Sequence, residues 1–233
     1  MYLAVTLQCQ GFDITCPKPG PDVGIVFEDR RIWFEAVCPS RGADGAPDQV
    51  PPMKSDGLAH KVPNEQLVLR YLTGISEKYQ RQRTKWLARG AISERDCLVI
   101  AINPRRLGHE SADTDPPRIL QAAFPLGNRY ITIDQESLTT VGNGYLVRPQ
   151  LSKMSGTLVD TGVFLQPEYS GLSGLLVSRV DAANVPPKLG FDFQLAPNPE
   201  AAVTLPEHFR LPGTYYRTQK TGEDYLITPE EQG

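Results

Sequence analysis

Two carboxylates, Asp22 and Glu35, lie in a stretch whose pattern predicts a β-hairpin. Asp22 comes just before the apolar run 23–27, and Glu35 lies within the β-branched and aromatic run 32–37. The polar residues 28–31 between the two runs are typical of a turn. Such a hairpin would place one carboxylate at the start of its first strand and the other inside its second strand. Two carboxylates brought together in this way could hold a divalent metal ion.

The second strand of this hairpin carries a glutamate among large apolar side chains. Because side chains alternate along a strand, one face would hold Trp33, Glu35 and Val37 and the other Ile32, Phe34 and Ala36. A glutamate is seldom buried without a cation or a hydrogen-bonding partner. Glu35 therefore belongs either to a site or to a solvated face, and Asp22, which follows a proline, is either a ligand or a turn residue.

A long amphipathic helix is predicted between Pro63 and Gly90. Asn64 is expected to cap its first turn and Gly90 to end it, which gives a length of about 39 Å at 1.5 Å per residue. The helical spacing of its apolar residues predicts one buried stripe, made of Val68, Leu72, Ile75, Tyr79 and Trp86.

Lys78 lies on the flank of this stripe. It could reach back to Glu35, or it could extend into water as flanking lysines often do. One turn before it, Gly74 costs about 1 kcal/mol relative to alanine in a helix interior. That cost predicts a close approach of the helix backbone to another element or to a ligand.

The order of these elements resembles the core of the PD-(D/E)XK nuclease superfamily. The features that carry the resemblance are Pro21-Asp22, Glu35-Ala36-Val37, the long helix and the apolar strand 97–102. The resemblance implies an α/β fold with a mixed central sheet flanked by helices, a restriction-endonuclease-like core and additional C-terminal strands. It also implies that Asp22, Glu35 and the carbonyl of Ala36 bind Mg²⁺ or Mn²⁺ for the hydrolysis of phosphodiesters in DNA or RNA.

The sequence departs from this family at Val37, where the family has a catalytic lysine. Related nucleases move this charge to a nearby element, and the resemblance implies that Lys78 could supply it here. The catalytic residues would then be Asp22, Glu35 and Lys78. The alternative is an inactive nuclease-fold module that binds nucleic acid or protein. The chain also resembles bacterial proteins of unassigned activity, but that resemblance supplies no chemistry.

The chain is expected to divide into a nuclease-like core at 1–103 and an extension at 104–233 that packs on the same domain. The first residues resemble the end of a helix stopped by Gly11, which suggests a longer natural protein. Loop-like composition predicts a long loop over 38–63. The remaining strands are expected at 12–15, 130–133, 145–147, 175–178, 214–217 and 225–227, with Gly142-Asn143-Gly144 as a hairpin turn.

Composition limits the alternatives. The chain has 233 residues and a net charge of −3, and no window offers about 18 uninterrupted apolar residues for a membrane span. Its four cysteines and three histidines lack metal-site spacing, so reduced thiols in the cytoplasm are expected. A local basic surface that could contact phosphates, or could serve only solubility, is formed by Arg70, Lys78, Arg81, Arg83, Lys85, Arg89, Arg105 and Arg106.

Overall fold

The predicted hairpin is formed by β1 (Val23–Phe27) and β2 (Arg30–Val37), which pair antiparallel. The turn between them consists of Glu28 and Asp29, both with positive φ, at 48° and 59°. Positive φ at both central residues is the type I′ geometry, whose twist matches that of the flanking strands. Before the hairpin, Thr15 forms only an isolated antiparallel bridge with Gly24, so the strand expected over 12–15 is wrong.

The structure is a computed structural model that describes residues 1–54, 56–109, 114–222 and 224–232. Its helices are α1 (Tyr2–Cys9), α2 (Asn64–Lys78), α3 (Thr84–Ala88) and α4 (Arg118–Ala123), and the strands after the hairpin are β3 (Cys97–Ile102), β4 (Leu126–Ile133), β5 (Thr140–Val147), β6 (Gln150–Ser152), β7 (Leu158–Asp160), β8 (Gly174–Val177), β9 (Gln194–Pro197), β10 (Gly213–Thr221) and β11 (Asp224–Gln232). The fold is therefore mixed α/β.

The long predicted helix connects β2 to β3, and β3 pairs parallel with β2 as expected for a helical crossover. The helix is interrupted between α2 and α3 by a π-helical segment, Tyr79–Arg83, which begins directly after Lys78. Its start differs from the expectation. Pro63 is the N-cap, and the side chain of Asn64, already inside the helix, donates to Gln121 at 2.9 Å instead of capping the first turn.

The central sheet has seven strands in the order β1-β2-β3-β8-β9-β10-β11. β8 pairs parallel with β3, which confirms the buried strand expected at 175–178, and the hairpin β10–β11 adds the last two strands. Strands on both sides of residue 103 therefore lie in one sheet. Two further ribbons, β4–β5 and β6–β7, form sheets of their own. In β4–β5 the predicted turn is wrong: Gly142–Gly144 lies inside β5, and the chain reverses over 134–139.

Each face of the central sheet is covered by its own apolar cluster. One cluster contains Trp33 and Leu98 together with the buried stripe of α2, including Leu72 and Ile75. The other contains Phe34 and lies beneath α1. This division follows the alternation of side chains along β2. Within the described ranges, no helix is both long and apolar enough to cross a bilayer.

Candidate active site

The register of the β1–β2 hairpin brings Asp22 beside Glu35. Val23 lies opposite Phe34, so the next antiparallel position places Asp22 opposite Glu35. Directly opposed residues point to the same face, and here that face is the one covered by α2. Asp22 itself is exposed, and its Oδ2 accepts a hydrogen bond from the Ala36 amide at 2.8 Å. This bond fixes one carboxylate oxygen at the edge of β2.

Glu35 is buried, with 4% of its surface exposed, and it is paired with Lys78. The Lys78 Nζ atom lies 2.6 Å from Glu35 Oε1. Burial raises the pKa of Glu35 above its ordinary value, the Lys78 ammonium acts in the opposite direction, and the nearby Asp22 carboxylate raises this pKa further. Two carboxylates and one ammonium thus meet at one point of the sheet.

Helix α2 reaches this point because it approaches β2 closely. A Cβ atom placed on Gly74 would lie 3.2 Å from Val37 Cγ2, a contact tighter than most real Cβ atoms make. The expectation that Gly74 marks a close approach of the helix backbone is therefore confirmed. Lys78, one turn later on the same helix, is carried to within hydrogen-bonding distance of Glu35. The side chain of Val37 meanwhile packs on the helix.

The arrangement leaves oxygen atoms that suit a hard divalent cation. Lys78 engages Oε1 of Glu35 and the Ala36 amide engages Oδ2 of Asp22, which leaves Oε2 and Oδ1 for a cation. Because the N–H and C=O of a strand residue point to the same edge, the Ala36 carbonyl also points toward Asp22. These three oxygens fit the ligand preference of Mg²⁺. Nowhere among the described residues do three or more His, Cys, Asp or Glu side chains form a metal-binding group.

The basic residues of the long helix, together with Arg105 and Arg106, do not form one continuous exposed surface. Arg70 donates to the Asp48 carbonyl at 2.7 Å, Arg83 stacks over the Tyr79 ring, and Arg105 pairs with Asp181. The exposed members of the set are Arg81, Lys85, Arg89, Arg106 and the paired Arg105.

A second basic feature was not anticipated from the sequence. An open cleft of about 800 Å³ at the turn end of the β1–β2 hairpin is lined by Arg30, Arg31 and Arg95 together with Asp29 and Asp96. The pair Arg30-Arg31 was interpreted only as part of a turn. Arg95 lies more than sixty residues away in the sequence, so no local pattern could link it to that turn.

A smaller cavity lies beside Ala36, on the face of the sheet that α1 covers. It has a volume of about 280 Å³ and is lined by residues of α1 and by the carboxyl ends of β2, β3 and β8. Tyr2 and Phe193 contribute its aromatic wall, with ring centroids 5.6 Å apart. Their separation in the sequence explains why no motif predicted this cavity.

No protein-family model matches the chain, and no curated protein or solved structure shows significant similarity to it. Its function must therefore be inferred from its own residues and their geometry.

Proposed function

We propose that this protein is a metal-dependent phosphodiester hydrolase that acts on nucleic acid. The observation that carries the proposal is the meeting of Asp22, Glu35 and Lys78 on one face of the sheet, with Lys78 Nζ 2.6 Å from Glu35 Oε1. Two carboxylates beside one ammonium provide both ligands for a divalent cation and a positive charge for a developing anion.

The topology around the site supports the same proposal. A hairpin, a long helix and a strand parallel to the second hairpin strand follow one another, in the order that a PD-(D/E)XK-like core requires. Helix α1 precedes this unit. Between α1 and the hairpin, where the core would have a further strand, Thr15 forms a single bridge to Gly24. Glu35 lies on the second hairpin strand and Asp22 directly precedes the first, which is close to the placement that the resemblance implies.

Each residue has a distinct proposed role. Asp22 and Glu35, with the Ala36 carbonyl, would hold Mg²⁺ or Mn²⁺ through their remaining oxygens. A divalent ion bound there lowers the pKa of a water ligand and polarises the phosphate. Lys78 lowers the pKa of the buried Glu35 and orients its carboxylate, and its ammonium would offset negative charge on the phosphate during the reaction. Lys78 thus replaces the lysine that is missing at position 37.

The exposed basic residues at the end of the long helix would contact the phosphate backbone of DNA or RNA. Arg81 and Lys85 lie within two turns of Lys78, on the same helical unit as the site. Neutralising phosphates with such residues makes binding weaken as the salt concentration rises.

A second candidate function is a binding module of the same fold without catalysis. The Lys78–Glu35 pair favours it, because an ammonium already neutralises the buried carboxylate on which a cation would depend. Val37, packed on Gly74, would then mark a site that has lost its chemistry.

Cleavage of labelled DNA and RNA in Mg²⁺ or Mn²⁺ distinguishes the two functions. We expect slow cleavage by the wild type and none by Asp22→Asn or Glu35→Gln, since each variant removes one anionic ligand. Asp29→Asn is the matched control, because Asp29 is an exposed aspartate in the hairpin turn where asparagine fits the positive φ. This control should cleave at the wild-type rate.

Val37→Lys tests the departure from the family. A lysine at this position would restore the motif charge, so we expect the cleavage rate to rise. If neither the wild type nor Val37→Lys cleaves nucleic acid, while the wild type binds it without metal, the hydrolase proposal fails and the binding module replaces it.

A further inference from the structure

The cleft at the turn end of the β1–β2 hairpin brings together arginines from two separate parts of the chain. Arg30 and Arg31 are the first residues of β2, and Arg95 lies in the turn just before β3. In the parallel register of these strands Ile32 lies beside Cys97, so Arg30 and Arg95, each two residues earlier, enter the sheet at the same end. The chain as a whole has a net charge of −3, and this cleft is therefore a local concentration of positive charge.

The carboxylates near the cleft do not neutralise these arginines. Within the described part of the chain, none of the three guanidinium groups forms an ion pair. Of the two aspartates in the lining, Asp96 accepts hydrogen bonds at Oδ2 from Trp33 Nε1 at 2.9 Å and from the Ser93 amide at 2.8 Å, and Asp29 lies in the exposed turn. Glu94 lines a neighbouring groove. Three guanidinium groups thus face two carboxylates, which leaves an excess of positive charge.

The arginines are held in place by contacts that leave most of their donors available. Arg30 Nη1 donates to the Thr204 carbonyl at 3.2 Å, and the Arg31 guanidinium lies over the Trp33 ring, 5.5 Å from its centroid. The backbone of Arg95 is fixed by a hydrogen bond from its amide to Ser93 Oγ at 3.2 Å. Because a guanidinium has five N–H donors, these contacts position the groups and still leave donors for an anion.

We propose that this cleft binds a polyphosphate, either free or as part of a nucleotide. Guanidinium groups match pairs of phosphate oxygens, and three of them in one cleft suit an anion with more than one negative charge. The volume of about 800 Å³ exceeds what a single phosphate needs and lies in the usual range of ligand pockets. Val26 and Val203 give the cleft an apolar side against which a nucleoside could pack.

This inference is independent of the hydrolase proposal. Arg31 precedes Glu35 by four residues, which is about 13 Å along the strand, and neither Asp22 nor Lys78 lines the cleft.

The test is isothermal titration calorimetry of the full chain with sodium tripolyphosphate and, separately, with adenosine triphosphate, both in EDTA. The chelator removes divalent ions, so the result does not depend on a metal at Asp22 and Glu35. We expect saturable binding at one site that weakens as the salt concentration rises. Arg31→Gln and Arg95→Gln should each raise the dissociation constant at least about tenfold, since each removes charge-assisted hydrogen bonds. Asp29→Asn should lower it, because it removes a negative charge from the lining.

Arg106→Gln is the matched control. Arg106 is also exposed, but it follows the carboxyl end of β3, whereas Arg95 precedes the amino end, about 20 Å away along the strand. This variant should bind as the wild type does, and near-ultraviolet circular dichroism would show that each variant is folded. Tighter binding of adenosine triphosphate than of tripolyphosphate would identify a nucleotide as the ligand, and equal binding a free polyphosphate. The proposal is overturned by a wild type without saturable binding, by an unchanged dissociation constant in either cleft variant, or by equal weakening in Arg106→Gln.

Discussion

Replacing Lys78 by methionine removes the ammonium from Glu35 while it keeps most of the apolar stem of the side chain. Glu35 is almost fully buried, whereas the Lys78 side chain is 30% exposed. Exposed ion pairs contribute about 0–1 kcal/mol, and breaking a fully buried pair costs about 3–5 kcal/mol. This half-covered pair lies between the two limits, so we expect Lys78→Met to lower the free energy of unfolding by about 2–3 kcal/mol at neutral pH.

The same variant should show a characteristic pH dependence. Without Lys78, burial and Asp22 would raise the pKa of Glu35 further above its ordinary value of 4.5. A carboxyl whose pKa is raised by folding stabilises the folded state while it is protonated, and this contribution is lost as the pH rises through its folded pKa. The destabilisation of Lys78→Met relative to wild type should therefore be small near pH 4.5 and largest well above it.

Urea denaturation at a series of pH values measures this effect, with Glu35→Gln and the double variant completing a mutant cycle. Lys85→Met is the control, because Lys85 is an exposed lysine on α3 and should leave stability unchanged. Equal destabilisation by Lys78→Met at acidic and neutral pH, or a coupling energy of zero with Glu35, would refute the account of this pair.

Three further predictions concern other parts of the fold. Gly74→Ala should destabilise the wild type because its Cβ would press on Val37, but should stabilise a Val37→Ala background by about 1 kcal/mol, as thermal unfolding of the four proteins would show. Changing Glu28-Asp29 to Asn-Gly should raise the melting temperature by the equivalent of about 1 kcal/mol, because both positions have positive φ; a lower melting temperature would contradict the turn assignment. Cys97 should react with a thiol reagent only on unfolding, since it is buried and burial raises its pKa, whereas the three exposed thiols should react in the native protein.

The elements around the candidate site were predictable because each has a strong local signal. The alternation of residues 32–37, the helical stripe that includes Ile75 and the apolar run 97–102 specify two strands and the helix between them. Gly74 was informative because its cost in a helix interior needed a packing reason, and the structure supplies one in Val37.

The errors came from places where local chemistry was overridden by distant contacts. Asn64 has the right residue type for a cap, but its side chain is held by Gln121 and Arg118, which lie over fifty residues away. Gly142–Gly144 resembles a turn, yet it lies within β5, where the ring of Tyr130 lies across Gly144. The arginine cleft at the hairpin turn combines Arg30 and Arg31 with Arg95, which is likewise distant from them in the sequence.

The central claim is that Asp22 and Glu35 hold a divalent cation, and anomalous diffraction from a crystal soaked in Mn²⁺ tests it most directly. We expect an anomalous peak within coordination distance of one oxygen from each carboxylate, about 2.1 Å for an ion of this size, and no peak there in a Glu35→Gln crystal. A wild-type crystal in which Lys78 stays paired with Glu35 and no Mn²⁺ lies beside Asp22 would contradict the claim.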